Sequence, residues 1–199
     1  VYHGPHNDAP AFPLLLRYEG KPSAASFKAD AFGDDISRCL GNPLDGQSFT
    51  VEEAVAAFSA MADRWNAGLR DYAAALSEAD PSASEVQMRR RGLELGCARM
   101  IGLQLESTAN IFKFHKERQR VMAEFGLSAP CDLPPDEKLL AIMMDEIRNA
   151  GLALPLVESD SRLGFHRESQ SYKFDSALIL AKIAAMRNSV AQATGGKAP

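Results

Sequence analysis

The stretch that decides the fold is TVEEAVAAFSAMADRWNAGLRDYAAAL, residues 50–76. It opens with a capping box, in which the Thr50 hydroxyl accepts from the Glu53 amide and the Glu53 carboxylate accepts from the Thr50 amide. Apolar residues then recur at alternating spacings of three and four, a helical seam of period 3.5: Val55, Phe58, Ala62, Trp65, Leu69, Tyr72 and Leu76. The sequence therefore predicts a long amphipathic helix ending near Pro81, with Trp65 buried at the centre of its seam.

Two further long helices are predicted after the first. The second begins at another capping box, Ser82–Glu85, and continues to Gly126. At 1.5 Å per residue it is about 60 Å long, which suggests a bundle with an exposed spine. The third begins at Pro134–Pro135, and Pro155 is expected to kink or end it, because proline lacks the amide that the helix needs.

A fourth helix is predicted after a loop over residues 158–174, with Asp175 as its N-cap. Its apolar stripe is Ile179, Ile183, Met186 and Val190. No segment shows the alternating pattern of a strand, so the helices have only one another to bury their apolar faces against. The predicted fold is an all-α bundle of three to four long helices.

The predicted bundle spans residues 50–192, and both ends of the chain are predicted to lie outside it. Residues 1–49 are punctuated by residues that break helices and strands: Gly4, Pro5, Pro10, Pro13, Gly20, Pro22, Gly33, Gly41, Pro43 and Gly46. They predict an irregular segment that packs on another domain or another chain of the same protein. Residues 193–199 are expected to form a disordered tail.

Composition limits the classes of partner and the compartment. A net charge of −4 argues against nucleic acid, which needs a basic surface, and no apolar run approaches the ~20 residues of a membrane span. The three cysteines, far apart, read as unpaired thiols and slightly favour the cytoplasm. The chain begins with Val1 and shows no signal segment, so we expect a processed product or a piece of a longer protein.

Two clusters contain residues able to bind a ligand or another domain. His3, His6 and Asp8 offer three potential metal ligands in six residues, but no helix frames them. A surface segment is the favoured interpretation, ahead of an ordered substrate-side loop and of a metal site. After Pro155, the residues Asp160 and Arg162 are expected to pair and fix the loop, leaving His166 to contact a ligand or a neighbouring domain.

The polar residues of the second helix fall on two faces. Gln104, Thr108 and His115 lie on the predicted inner face, where they indicate a satisfied buried network. Glu106, Asn110, Lys113 and Glu117 lie on another face and are interpreted as solvated ion pairs. The chain contains no nucleophile elbow, phosphate-binding loop or zinc-protease motif, and its helices lack Glu-x-x-His. We therefore predict no catalytic residue, no metal and no cofactor.

Several stretches resemble a known group of proteins. They are RMIGLQLESTANIFKF at residues 99–114, LPLVESDSRLGFH at 154–166, YKFD at 172–175 and AKI at 181–183. Together they resemble the helical C-terminal region of large bacterial glycoside-hydrolase-like proteins of the α-glucuronidase and hexosaminidase type.

In such proteins a barrel carries the catalytic carboxylates. The resemblance therefore implies a non-catalytic part of a carbohydrate-active enzyme, whose partner is the catalytic domain and whose ligand is a carbohydrate. The alternative is an independent helical protein-interaction or scaffold module, which the seams of period 3.5 favour.

Overall fold

The computed structural model describes residues 9–20, 50–78, 83–166 and 171–196. Within these residues four long helices follow one another: α1 (Val51–Ser77), α2 (Glu85–Phe125), α3 (Glu137–Ser159) and α4 (Ser176–Ala193). Helix α1 packs against α2, α2 against α3, and α3 against α4. The predicted all-α bundle is confirmed.

The helix caps match the sequence at most ends. Thr50 and Glu53 form the predicted capping box of α1, and Gly126 ends α2 in the left-handed conformation, with φ of 62°. The box of α2, however, is formed by Ser84 and Gln87, so the predicted box at Ser82–Glu85 is wrong. Two serines two residues apart both satisfy the N-cap preference, and here Gln87 supplies the reciprocal acceptor for the later one.

Helix α3 passes through Pro155 instead of ending there. Asp136 caps its start, accepting from the amides of Lys138 and Leu139, and the helix continues to Ser159. Pro155 removes the hydrogen bond to the carbonyl of Gly151, but both residues are exposed, so water can reach that carbonyl. Of the two expectations for Pro155, a helix end is wrong, and a kink stays a prediction.

Two short antiparallel ladders join the loops, which the sequence did not predict. Strand β1 (Arg17–Tyr18) pairs with β2 (Cys131–Asp132), and β3 (Phe165–His166) pairs with β4 (Ser171–Tyr172). Each strand has two residues, too few to show alternation. The second ladder replaces part of the loop predicted over residues 158–174, and we call residues 160–174 the hairpin segment.

The described part of the N-terminal segment belongs to the bundle. A 3-10 turn at Ala9–Ala11 contacts α2, α3 and α4, and its residues are buried. Leu14 and Leu16 are 2% and 3% exposed, and the Leu16 amide donates to Ser189 Oγ at 3.0 Å. Residues 9–20 thus pack on this chain's own helices, whereas we expected them on another domain or chain. Residues 1–8 and 21–49 lie outside the described part.

At the other end of the chain, the amides of Thr194 and Gly196 bond back to α4, on Val190 and Ala191. The last residues of the predicted disordered tail, 197–199, lie outside the described part.

The seam of α1 is only partly covered. Trp65 is 38% exposed, so the prediction of a buried Trp65 is wrong, although its indole N–H donates to the Ala98 carbonyl at 2.7 Å. Helix α1 packs chiefly on α2, and one neighbour cannot cover so broad a seam. The two helices leave no room for a side chain at Gly102, where a Cβ would lie 2.5 Å from Asn66 Oδ1.

The four long helices of the described residues have between 18 and 41 residues each. None of them combines the length and the apolar character that crossing a bilayer requires.

Candidate functional site

The hairpin segment begins with the predicted pair of Asp160 and Arg162. Asp160 is the C-cap of α3 and is buried, while Arg162 is exposed. Arg162 Nη2 donates to Asp160 Oδ2 at 2.7 Å, and its Nε to Oδ1 at 2.9 Å. The Arg162 amide adds a third bond, to Oδ1 at 3.0 Å. This two-pronged contact fixes both the carboxylate and the turn that follows α3.

The pair also contacts α2. The Cys97 thiol lies 3.8 Å from Asp160 Oδ2 and 3.6 Å from Arg162 Nη2. A weaker ion pair joins Arg162 Nη1 to Glu94 Oε1 at 3.8 Å. The hairpin segment is therefore bonded to a helix some sixty residues earlier in the chain.

The electrostatics of this cluster stabilise its charged pair. Hydrogen bonds from Arg162 lower the pKa of Asp160, against the opposing effect of desolvation. Burial raises the pKa of the Cys97 thiol, and the positive charge of Arg162 only partly offsets this. Asp160 is thus held as a carboxylate and Cys97 as a thiol, which makes Cys97 a poor nucleophile at neutral pH.

Beside this cluster lies a cleft of about 240 Å³ between α2 and the hairpin segment. We call it the hairpin cleft. Its walls combine apolar side chains with two cations, and they comprise Cys97, Met100, Ile101, Gln104, Arg162, Leu163, Gly164, Phe165, Lys173 and Phe174. Asp160 is bonded to Arg162, and no carboxylate among the described residues lines the cleft. It suits the docking of another surface better than acid–base catalysis, which needs an available proton donor or acceptor.

The remaining predicted site residues are placed only in part. His166 lies in β3, where its backbone pairs with Ser171, and its side chain lies outside the described part of the chain. His3, His6 and Asp8 also lie outside it. Among the residues that the structure describes, no group of three His, Cys, Asp or Glu could hold a metal ion.

The structure also contains a buried cluster that the sequence analysis missed. Glu146 of α3 and Lys182 of α4 form an ion pair, and both side chains are 0% exposed. Ser107 Oγ donates to Glu146 Oε1 at 2.6 Å, and Asn110 Nδ2 donates to Oε2 at 2.8 Å. The carboxylate therefore has partners on both oxygens, as a buried charge requires.

Lys182 links this cluster to the N-terminal segment. Its ammonium donates to the carbonyls of Ala9 at 2.9 Å and Pro10 at 3.3 Å. Burial lowers the pKa of Lys182, and the adjacent Glu146 opposes that effect. One ammonium group thus joins α3, α4 and the 3-10 turn inside the core.

A signal for this cluster was present in the sequence. Glu146 follows Met143 by three residues and precedes Ala150 by four, so it falls on the apolar stripe of α3. Lys182 stands in the same relation to Ile179 and Met186 on α4. Opposite charges on two buried stripes indicate an internal ion pair.

The assignment of Asn110 to a solvated face was wrong, because its amide is buried against Glu146. On the predicted inner face, Thr108 is fully buried and donates to the Gln104 carbonyl at 2.8 Å.

Comparison with known proteins gives no relative from which a function could be transferred. No family model, no curated protein and no solved structure matches the chain. Function has to be inferred from the chain's own residues, above all from the hairpin cleft and the buried cluster.

Proposed function

We propose that the chain is a non-catalytic helical part of a larger carbohydrate-active enzyme, of the glycoside-hydrolase-like kind that its sequence resembles. Its role is to pack against the catalytic domain and hold that domain in place. The hairpin cleft is the surface proposed for this contact, with Arg162 at its rim.

The observation that carries the proposal is spatial convergence. The resembling stretches are separated by up to about seventy residues in the sequence. Residues 99–114 supply Met100, Ile101 and Gln104 to the hairpin cleft, and residues 154–166 and 172–175 supply the opposite wall. Residues 181–183 do not line the cleft, and their Lys182 forms the buried ion pair with Glu146. The three stretches that line the cleft share one surface, which is what a common docking role requires.

The chemistry of the cleft agrees with a docking role. Glycoside hydrolysis uses two carboxylates on either side of the scissile bond, about 5–5.5 Å apart for retention and 6.5–9.5 Å for inversion. The described residues of the hairpin cleft include no such pair, so in this proposal another domain supplies the carboxylates. An exposed guanidinium beside apolar walls is a suitable anchor for a protein surface.

The test uses the complete reading frame that encodes this chain. The full protein is expected to hydrolyse an aryl glycoside, for example an aryl α-glucuronide or an aryl N-acetylhexosaminide. Residues 1–199 alone are expected to give no turnover. A reading frame without a second domain, or hydrolysis by the purified chain that one acidic substitution abolishes, would contradict the proposal.

A matched pair of variants tests the docking surface itself. In the full protein, Arg162→Ala is expected to lower the temperature at which the two domains separate. Arg64→Ala removes an exposed arginine of α1 that does not line the hairpin cleft, and is expected to leave that temperature unchanged. Equal effects of the two variants would assign the contact to another surface.

The alternative is an independent protein-interaction module, and one observation favours it. Among the described residues, the C-terminal part of α1 (63–77) and the N-terminal part of α2 (85–99) contain no fully buried side chain. It exposes Trp65, Tyr72, Val86 and Met88, and apolar groups gathered on a surface often mark an interface. A complete reading frame that holds no catalytic domain would favour this function over the first.

A further inference from the structure

A second cleft, of about 230 Å³, lies between α1, α2 and α3. It uses residues 106–113 of α2, whereas the hairpin cleft uses residues 97–104 on a different face of that helix. We call it the three-helix cleft. Pockets for drug-sized ligands occupy about 300–1,000 Å³, so this one suits a smaller molecule.

The floor of the three-helix cleft includes two buried amides, Asn110 and Asn149, and one amide oxygen has no hydrogen-bond partner in the part of the chain that the structure describes. Asn149 is 4% exposed, and its amide nitrogen donates to the Leu103 carbonyl at 2.9 Å and to Ser107 Oγ at 2.8 Å. A carbonyl can only accept, so this orientation of the amide is fixed. Asn149 Oδ1 is then left with no hydrogen-bond partner among the described residues. Buried acceptors are rarely left unpaired, and an exception asks for an explanation.

A second unpaired polar atom belongs to a residue that lines the same cleft. Ser59 Oγ, contributed by α1, is buried and has no hydrogen-bond partner in the described part of the chain. Ser59 belongs to a different helix than Asn149, so the two residues line the cleft from two of its walls. Asn149 Oδ1 needs a hydrogen-bond donor, whereas Ser59 Oγ can donate or accept a hydrogen bond.

The buried cluster keeps the floor rigid. Asn110 is bonded to Glu146 Oε2, and Asn149 is bonded to Ser107, which itself donates to Glu146. Both amides at the floor are therefore held by one buried carboxylate. Such fixed polar groups are preorganised for a ligand, because binding requires no further ordering of the side chains.

The rim of the cleft offers donors and acceptors together. Asp63 and Glu106 provide carboxylates, and Lys113 provides an ammonium group. Arg148 is already paired with Asp145, at 2.9 Å. Three carboxylates against two cations leave the lining with one net negative charge, which disfavours an anionic ligand.

We propose that the three-helix cleft binds a neutral polyhydroxylated molecule of the size of one sugar ring. A hydroxyl group both donates and accepts, so it can satisfy Asn149 Oδ1, Ser59 Oγ and the carboxylates of the rim with one kind of group. The cleft is separate from the hairpin cleft, and the proposal does not rest on the proposed function.

Nuclear magnetic resonance of the ¹⁵N-labelled chain tests this site. The probes are D-glucose, D-galactose and D-mannose, with D-glucuronate as an anionic counterpart. Saturable shifts are expected for the side-chain amide signals of Asn110 and Asn149 with at least one neutral sugar. D-glucuronate is expected to bind less tightly, because the lining carries one net negative charge.

A matched pair of aspartate variants locates the site. Asp63→Ala is expected to weaken binding by about tenfold, as the loss of one charge-assisted hydrogen bond does. Asp71→Ala removes an exposed aspartate from the same helix outside the cleft and is expected to leave binding unchanged. Both positions are exposed, so both variants are expected to fold.

Three results would overturn the proposal. The first is the absence of saturable shifts with every neutral sugar. The second is a set of shifts confined to residues outside the cleft, or equal weakening by the two aspartate variants. The third is tighter binding of D-glucuronate than of the neutral sugars, which would assign the cleft to anions. None of these results depends on whether the full protein is a glycoside hydrolase.

Discussion

Glu146 and Lys182 form a fully buried ion pair between α3 and α4. Neither charge reaches water, and each is compensated by the other together with neutral donors or carbonyls. The net contribution of such a pair is small, because desolvation opposes the Coulombic attraction. Removing only one member of the pair is strongly destabilising, because the other buried charge is then left without its partner.

We therefore predict that Lys182→Met lowers the free energy of unfolding by about 3–5 kcal/mol, the cost of leaving Glu146 uncompensated. The double variant with Glu146→Gln is expected to recover part of that loss, because no buried charge remains. Urea unfolding followed by circular dichroism measures both. Lys138→Met, at an exposed lysine of α3, serves as the control. Additive losses in the double variant would show that the two side chains do not act as a pair.

The pair of Asp160 and Arg162 predicts a pH dependence. The pKa of Asp160 is lowered on folding, so its stabilising effect is complete above the ordinary aspartate pKa of about 3.9 and is lost as the pH falls through the lower folded value. Arg162→Ala is expected to destabilise the chain at pH 7 and to do so less as the pH falls below about 4.

Urea midpoints measured from pH 7 down to pH 3 check this, with Arg64→Ala as the exposed control. A deficit of Arg162→Ala that is the same at every pH would show that the ionisation of Asp160 is not involved.

At the scale of single elements, the sequence predicted the helices well because caps and apolar periodicity are local signals. Thr50 and Gly126 mark helix ends by hydrogen bonds to residues three or four positions away. The exposed fraction of Trp65 was not predictable in the same way. A seam of period 3.5 states which side of a helix is apolar, but not how many neighbours cover it. Helix α1 has chiefly one.

Pro155 shows the same limit in α3. Its missing amide is a local defect, yet the helix continues for four more residues to Ser159. The packing of Leu154, Leu156 and Val157 against the core supplies the stabilisation that local propensity lacks. Tertiary packing thus overrides the local rule, and only the contacts made on either side of the proline reveal this.

It follows that Pro155→Ala is expected to stabilise the chain. In a helix interior, proline is about 3 kcal/mol less favourable than alanine, and near the end of α3 we expect a gain of about 1 kcal/mol. Thermal unfolding of the variant measures the change. Loss of stability would mean that the proline shapes the last turn so that Asp160 reaches Arg162 and Cys97.

At the scale of the whole molecule, residues 9–20 of the N-terminal segment pack on this chain's own helices, which the sequence did not predict. Its prolines and glycines correctly exclude a long helix, but they say nothing about where an irregular segment packs. The 3-10 turn at Ala9–Ala11 lies among three helices because Lys182, 173 residues away from Ala9, bonds to its carbonyls. Contacts at such separations leave no local pattern in a single sequence.

The two clefts were hidden for the same reason. Asn149 and Ser59 belong to different helices, and nothing in either helix indicates that both line one cavity. The pair of Asp160 and Arg162 was predictable because the two residues lie two positions apart. The sequence therefore indicated the part of the candidate sites that is local, and folding supplied the rest.

The last prediction concerns the N-terminal segment as part of the core. Leu14→Ala is expected to lower the free energy of unfolding by about 2–5 kcal/mol, as truncation of a fully buried leucine in a helical core does. Circular dichroism and Trp65 fluorescence are expected to report one shared transition, because residues 9–20 and the helices bury the same surface. Arg17→Ala, at an exposed position of the same segment, is the control and should change stability little. If the segment belonged to another domain or chain, Leu14→Ala would leave the isolated chain as stable as the control, and this result would restore the interpretation that the sequence suggested.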